Sequence, residues 1–158
     1  MTKTSDYFIS EFFGTLILIL FGNGSVIVEL IYSKTPNILS INIAYGLGVT
    51  FGVFVAHRSG GHLNPAVTIQ AVVFDKLKPI LIGAAKYIEK LIAFRIFQRI
   101  FWHLFVLAVI MISAQMLGAF IASGILHFSY KAGLNTESAL NKSNEACLDS
   151  SPVLASAR

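Results

Sequence analysis

Asn64 and Pro65, entered through Gly60-Gly61-His62-Leu63, form the stretch whose residue types and spacing can do chemistry. An asparagine amide both donates and accepts hydrogen bonds. It is also a good helix N-cap, and proline suits the first helical position. The segment that follows, 64–74 (NPAVTIQAVVF), is apolar but too short to cross a bilayer. At ~1.5 Å per residue it reaches about 16 Å, half of a hydrocarbon core of about 30 Å. The carbonyls of Gly60, Gly61 and His62 can form a ladder of acceptors ahead of it, and glycine adopts unusual φ/ψ values cheaply. A glycine-rich loop feeding a half-length apolar helix suggests a re-entrant element. Irregular backbone at membrane depth is tolerated only where protein or a water-filled cavity covers it. The chemistry on offer is hydrogen-bond exchange with water or a hydroxyl, beside a positive helix end that repels cations. The competing reading is a short surface helix that Asn64 merely caps.

Other polar residues divide by setting. Glu11 lies inside an apolar run, 7–32, where a carboxylate is costly and is usually functional or paired. A structural role for it is favoured over a conducting one. Glu29 is near the end of that run and can reach the interface. His62 has no partner ligands, so neither a metal nor a cofactor is expected. No nucleophile–base arrangement appears, which argues against an enzyme and leaves no catalytic residue to name. The single cysteine, Cys147, permits no internal disulfide.

These residues must be positioned by membrane helices. Of the 158 residues, 55% are hydrophobic and 13% are charged, about half the share usual in a soluble domain. Mean hydropathy is +0.72. The net charge of +4 forms no dense basic tract, so nucleic acid is not an expected partner. Three runs are long enough to span: 7–32, 38–56 and 104–126. Each carries glycines or other small residues that let helices approach closely. The first run is too long, and too acidic, for a cleavable signal peptide.

The remaining stretches divide the chain into 1–78, with two spanning helices and the re-entrant half-helix; 79–103, an amphipathic, interfacial insertion; 104–128, the third span; and 129–158, a polar, disordered tail. In the insertion, Lys86, Glu89 and Lys90 share one helical face while Arg95 and Arg99 take the opposite one. Two short interfacial helices broken near 91–94 are therefore expected. Trp102 is a plausible interface anchor. Eight of the twelve basic residues (Lys3, Arg58, Lys76, Lys78, Lys86, Lys90, Arg95 and Arg99) fall on the side of the N-terminus and the middle loop. That bias places the N-terminus in the cytoplasm.

The sequence Ser59-Gly60-Gly61-His62-Leu63-Asn64-Pro65-Ala66-Val67-Thr68 closely resembles the first signature of the major intrinsic protein family, the aquaporins and aquaglyceroporins. Glu11-Phe12-Phe13-Gly14-Thr15 is similar to the family's first-helix pattern. Tyr45-Gly46-Leu47-Gly48-Val49 is similar to the second helix of its glycerol-conducting branch. Phe74-Asp75-Lys76 and the stretch from Ala114 to Phe120 resemble the end of the half-helix and the third helix. Together these cover roughly 6–78 and 111–130. The resemblance implies an all-α transmembrane fold, an aquaporin-like half repeat with three spanning helices and one re-entrant half-helix. It implies that Asn64, Gly60, Gly61, His62 and Tyr45 line the pore, with Tyr45 at its narrowest filter. An aromatic simply packed between helices remains the other reading of Tyr45. It further implies that Glu11 accepts hydrogen bonds from the re-entrant loop, supported by Pro65, Ala66 and Gln115.

The family fold is an inverted repeat with sites at the repeat interface. This chain carries one Asn-Pro-Ala motif and lacks the second-half arginine of the filter. The expected function is a channel subunit for passive transport of water and small polyols such as glycerol, in the plasma membrane. Such a subunit would oligomerise in the bilayer with full-length family members. The alternative is a non-conducting, truncated form that associates with full-length aquaglyceroporins and modulates them.

Overall fold

The computed structural model describes residues 4–33, 37–77 and 90–149. The described residues are helical, joined by turns and irregular segments and without a strand. Helix α1 runs Thr4–Tyr32 and helix α2 runs Ile38–Val55. Helix α3, Pro65–Gln70, continues as a π-helical stretch, Ala71–Leu77. Helix α4 runs Lys90–Asp149. Three segments are long and apolar enough to cross a membrane: Thr4–Tyr32, Ile38–Val55 and Gln98–Thr136 within α4.

Helix α1 is the centre of the arrangement and packs against both α2 and α4. The glycines explain how closely. A Cβ on Gly14 would lie 2.9 Å from the Gly52 carbonyl oxygen, and one on Gly52 would lie 2.8 Å from that of Gly14. The backbones of α1 and α2 therefore touch where they cross. Gly118 plays the same part on α4, against the Phe12 carbonyl of α1. Small residues at such crossings gain dispersion contact that a larger side chain would prevent. Asn37 caps α2, its Oδ1 accepting from the amides of Leu39 at 3.0 Å and Ser40 at 3.3 Å. Glu29 on α1 accepts from the Asn37 amide at 3.0 Å, which ties the two helix ends together. At the other end, Arg58 and Asp6 approach to 3.9 Å.

Two expectations need correction. The break near 91–94 is absent, and α4 is continuous from Lys90. Charges on opposite faces disfavour a helix lying flat in an interface, but they do not interrupt one that runs on into the membrane. Residues 79–89 lie outside the described residues. The tail expected to be disordered from 129 is instead helical through Asp149. Gly133 brings α4 against Ile31 at the end of α1, and the hydroxyls of Thr136 and Ser138 bond back to the carbonyls of Ala132 and Leu134. Their polar groups are thereby satisfied within the helix.

Candidate functional site

The largest fully buried side chains are polar: Gln115, Glu11 and Thr68. They meet where α1, α3, α4 and the loop before α3 converge. The loop begins as α2 ends. The Ala56 amide bonds to the Gly52 carbonyl at 2.9 Å, and the amides of Ser59 and Gly61 both bond to the Ala56 carbonyl at 3.0 Å. The chain then passes through left-handed backbone at Gly60 (φ 101°), Gly61 (φ 65°) and Leu63 (φ 53°). Glycine accepts this freely, but a leucine there is strained by about 1–2 kcal/mol. Two contacts hold Leu63 in place. Its amide donates to Glu11 Oε2 at 2.8 Å, and its side chain fills the gap between Gly14 and Gly52.

Glu11 is completely buried and accepts from four donors. Oε1 takes the Ser59 hydroxyl at 2.5 Å and the His62 amide at 3.0 Å. Oε2 takes the Leu63 amide and, at 2.7 Å, the Gln115 Nε2. A ring composed of donors matches an ionised carboxylate, which only accepts. Each bond to a charged group is worth about 1.5–3 kcal/mol, enough together to offset burial of the charge. Gln115 Nε2 also donates to Thr68 Oγ1 at 3.0 Å, and that hydroxyl donates to the Asn64 carbonyl at 3.2 Å. The His62 ring nitrogen Nδ1 lies 3.2 Å from Thr68 Oγ1.

Asn64 follows in extended conformation (φ −151°, ψ 131°). Its Oδ1 accepts from the Ala66 amide at 2.8 Å, and its backbone carbonyl also accepts from the Thr68 amide at 3.0 Å. Pro65 takes the first helical position. Among the described residues nothing accepts from Asn64 Nδ2, and nothing donates to the carbonyls of Gly60, Gly61 or His62. Asn64, Gly60 and Ala66 are exposed on this chain, and Gly61, His62 and Pro65 are half-buried. The arrangement therefore presents one free amide donor and a short run of free acceptors beside the start of a half-length helix.

Of the residues singled out from sequence, Glu11, Gln115, His62, Asn64, Pro65 and Ala66 come together around this loop. Tyr45 belongs to a different contact. Its hydroxyl donates to Asn23 Oδ1 on α1 at 2.5 Å. Sequence reasoning passed over Ser59, Thr68 and Asn23 as individual residues. Thr68 stands one turn after Asn64, the spacing at which a hydroxyl reaches back to a helix-start carbonyl. Asn23 is an amide inside an apolar run, a signal of the kind already noted for Glu11.

A profile of the Major intrinsic protein family matches residues 1–90. The chain is 51% identical over 72 residues to Aquaporin-10 of Milnesium tardigradum, covering 44% of this chain and 17% of that protein. It is 35% identical over 124 residues to Aquaglyceroporin-2 of Rhizophagus irregularis, covering 77% and 31%. It is 31% identical over 137 residues to the Probable glycerol uptake facilitator protein of Mycoplasma genitalium, covering 82% and 45%. The chain thus spans less than half the length of each of these relatives.

Proposed function

Since the chain belongs to the major intrinsic protein family, we propose that it supplies one half of a transmembrane pore for water and small polyols such as glycerol. The observation that carries the reading is the bracing of residues 59–63 by Glu11, which among the described residues leaves Asn64 Nδ2 and the carbonyls of Gly60, Gly61 and His62 without a hydrogen-bond partner. A solute entering a narrow passage loses its water partners. An amide donor followed by spaced carbonyl acceptors replaces them step by step, so that an uncharged hydroxyl compound crosses without a deep barrier. The positive end of the half-helix opposes cations at the same point. Tyr45 contributes the aromatic wall of the narrowest part, along which a carbon chain slides.

In this reading Gly60, Gly61, His62, Asn64 and Tyr45 contact the solute, while Glu11, Pro65, Ala66 and Gln115 hold the loop. The N-terminus is cytoplasmic, the membrane is the plasma membrane, and the chain assembles with full-length family members. The names of two relatives, an aquaglyceroporin and a glycerol uptake facilitator, support a polyol among the solutes.

The test is stopped-flow permeability of liposomes holding the purified chain, beside an Asn64→Asp variant. Water and glycerol permeability above that of empty liposomes, lost in the variant, supports conduction by this chain. Permeability equal to that of empty liposomes overturns it. Co-purification with a full-length relative whose permeability then falls supports the other reading, a non-conducting modulator.

A further inference from the structure

Helix α1 gives Tyr45 a seat made of two consecutive residues with opposite properties. Gly22 provides a flat floor: a Cβ there would overlap ring atoms Cδ1, Cε1 and Cζ. Asn23 provides a polar stop, its Oδ1 accepting from the phenol hydroxyl at 2.5 Å. The crossing of α1 and α2 does not depend on this pair, because Gly14 meets Gly52 and Gly48 meets Leu18 elsewhere along it. The absent side chain fixes the plane of the ring, and the amide fixes where its tip lies. A phenol in an apolar setting needs a partner for its hydroxyl, and an amide within a membrane span is costly unless it has one. The phenol hydroxyl and the Asn23 carbonyl oxygen satisfy each other.

We infer that Asn23 is a positioning residue that withholds the Tyr45 hydroxyl from permeating solute. The inference rests on the reading of Tyr45 as a filter residue given above. With its one proton donated to Asn23, tyrosine has no donor left for solute and presents its ring face to the passage. Without Asn23, the hydroxyl turns towards water or solute and adds a polar contact at the narrowest point. The seat is thus a specificity device, keeping a polar side chain apolar on its working face.

The ratio of glycerol to water permeability of the full chain in liposomes tests this with Asn23→Ala, Tyr45→Phe and the double variant. Tyr45→Phe sets the reference ratio for a filter ring that carries no hydroxyl. Asn23→Ala moves the ratio from that of the unaltered chain by roughly two- to tenfold, the factor set by one net neutral hydrogen bond. The double variant returns it to the Tyr45→Phe value. An Asn23→Ala ratio equal to that of the unaltered chain, or a double variant that keeps the full Asn23→Ala change, overturns the inference.

A second measurement separates this outcome from failure of the underlying reading. The tyrosine Cζ resonances of the 13C-labelled full chain are recorded in lipid nanodiscs, Tyr45 being assigned by its loss in Tyr45→Phe. Asn23→Ala is expected to move the Tyr45 signal and leave the other tyrosines in place. If the unaltered chain conducts nothing, the conduction reading fails and this spectrum decides the seat. A Tyr45 signal unmoved by Asn23→Ala overturns it.

Discussion

Gln115 and Glu11, 104 residues apart in the chain, meet at 2.7 Å with both side chains buried. The contact joins α4 to α1, and through Glu11 to the amides of His62 and Leu63. Glu11→Gln removes an acceptor and turns an amide group towards donors. A loss of roughly 3 kcal/mol is expected, the scale of leaving buried donors without their charged acceptor. Equilibrium unfolding in mixed detergent micelles measures it.

Gln115 separates charge from shape at the same contact. Gln115→Glu sets a second carboxylate beside Glu11, whereas Gln115→Leu only removes a donor. Both variants lose stability, and Gln115→Glu loses more at neutral pH because buried like charges repel strongly. Thermal midpoints in detergent at neutral pH give the order. A Leu variant less stable than the Glu variant would overturn this account.

Thr68→Val keeps the volume and deletes the hydroxyl that accepts from Gln115 and donates to the Asn64 carbonyl. An expected cost of about 1–3 kcal/mol follows from leaving the buried Gln115 amide short of one acceptor. The same unfolding measurement checks it.

Gly61→Ala tests the loop itself. The residue has φ 65°, and a Cβ there would lie 3.1 Å from Val53 Cγ1. Strain of about 1–2 kcal/mol is expected, with an added steric cost. Proteolysis within the loop in detergent should speed up in this variant relative to the unaltered chain.

Much of this was legible in the sequence where local physics decides the outcome. Asn64 before Pro65 reads as a helix start and is one. The three apolar runs read as spans, and helices long enough to cross a membrane occupy them. Less legible were features set by distant contacts. The continuity of α4 through 91–94 was hidden because charge placement on a helical wheel does not report where the helix points. Its extension past 129 owes something to Gly133 against Ile31, a contact made only after folding. The Asn23–Tyr45 pair depends on how α1 and α2 align, which no spacing within either helix reveals. The bracing of the loop was approached only through family resemblance, since nothing near Glu11 in sequence announces its donors.

The position of Glu11 has a consequence for biosynthesis. Ribosomes deliver the first span long before its carboxylate has anything to bind. Ser59 is 48 residues further along, and Gln115 emerges later still. A newly made α1 therefore carries a solitary carboxyl group that is costly to expose to lipid. It must remain sheltered by the insertion machinery until the loop and then α4 arrive. Release into lipid is thus timed by α4, and a nascent chain arrested before Gln115 should linger at the translocon.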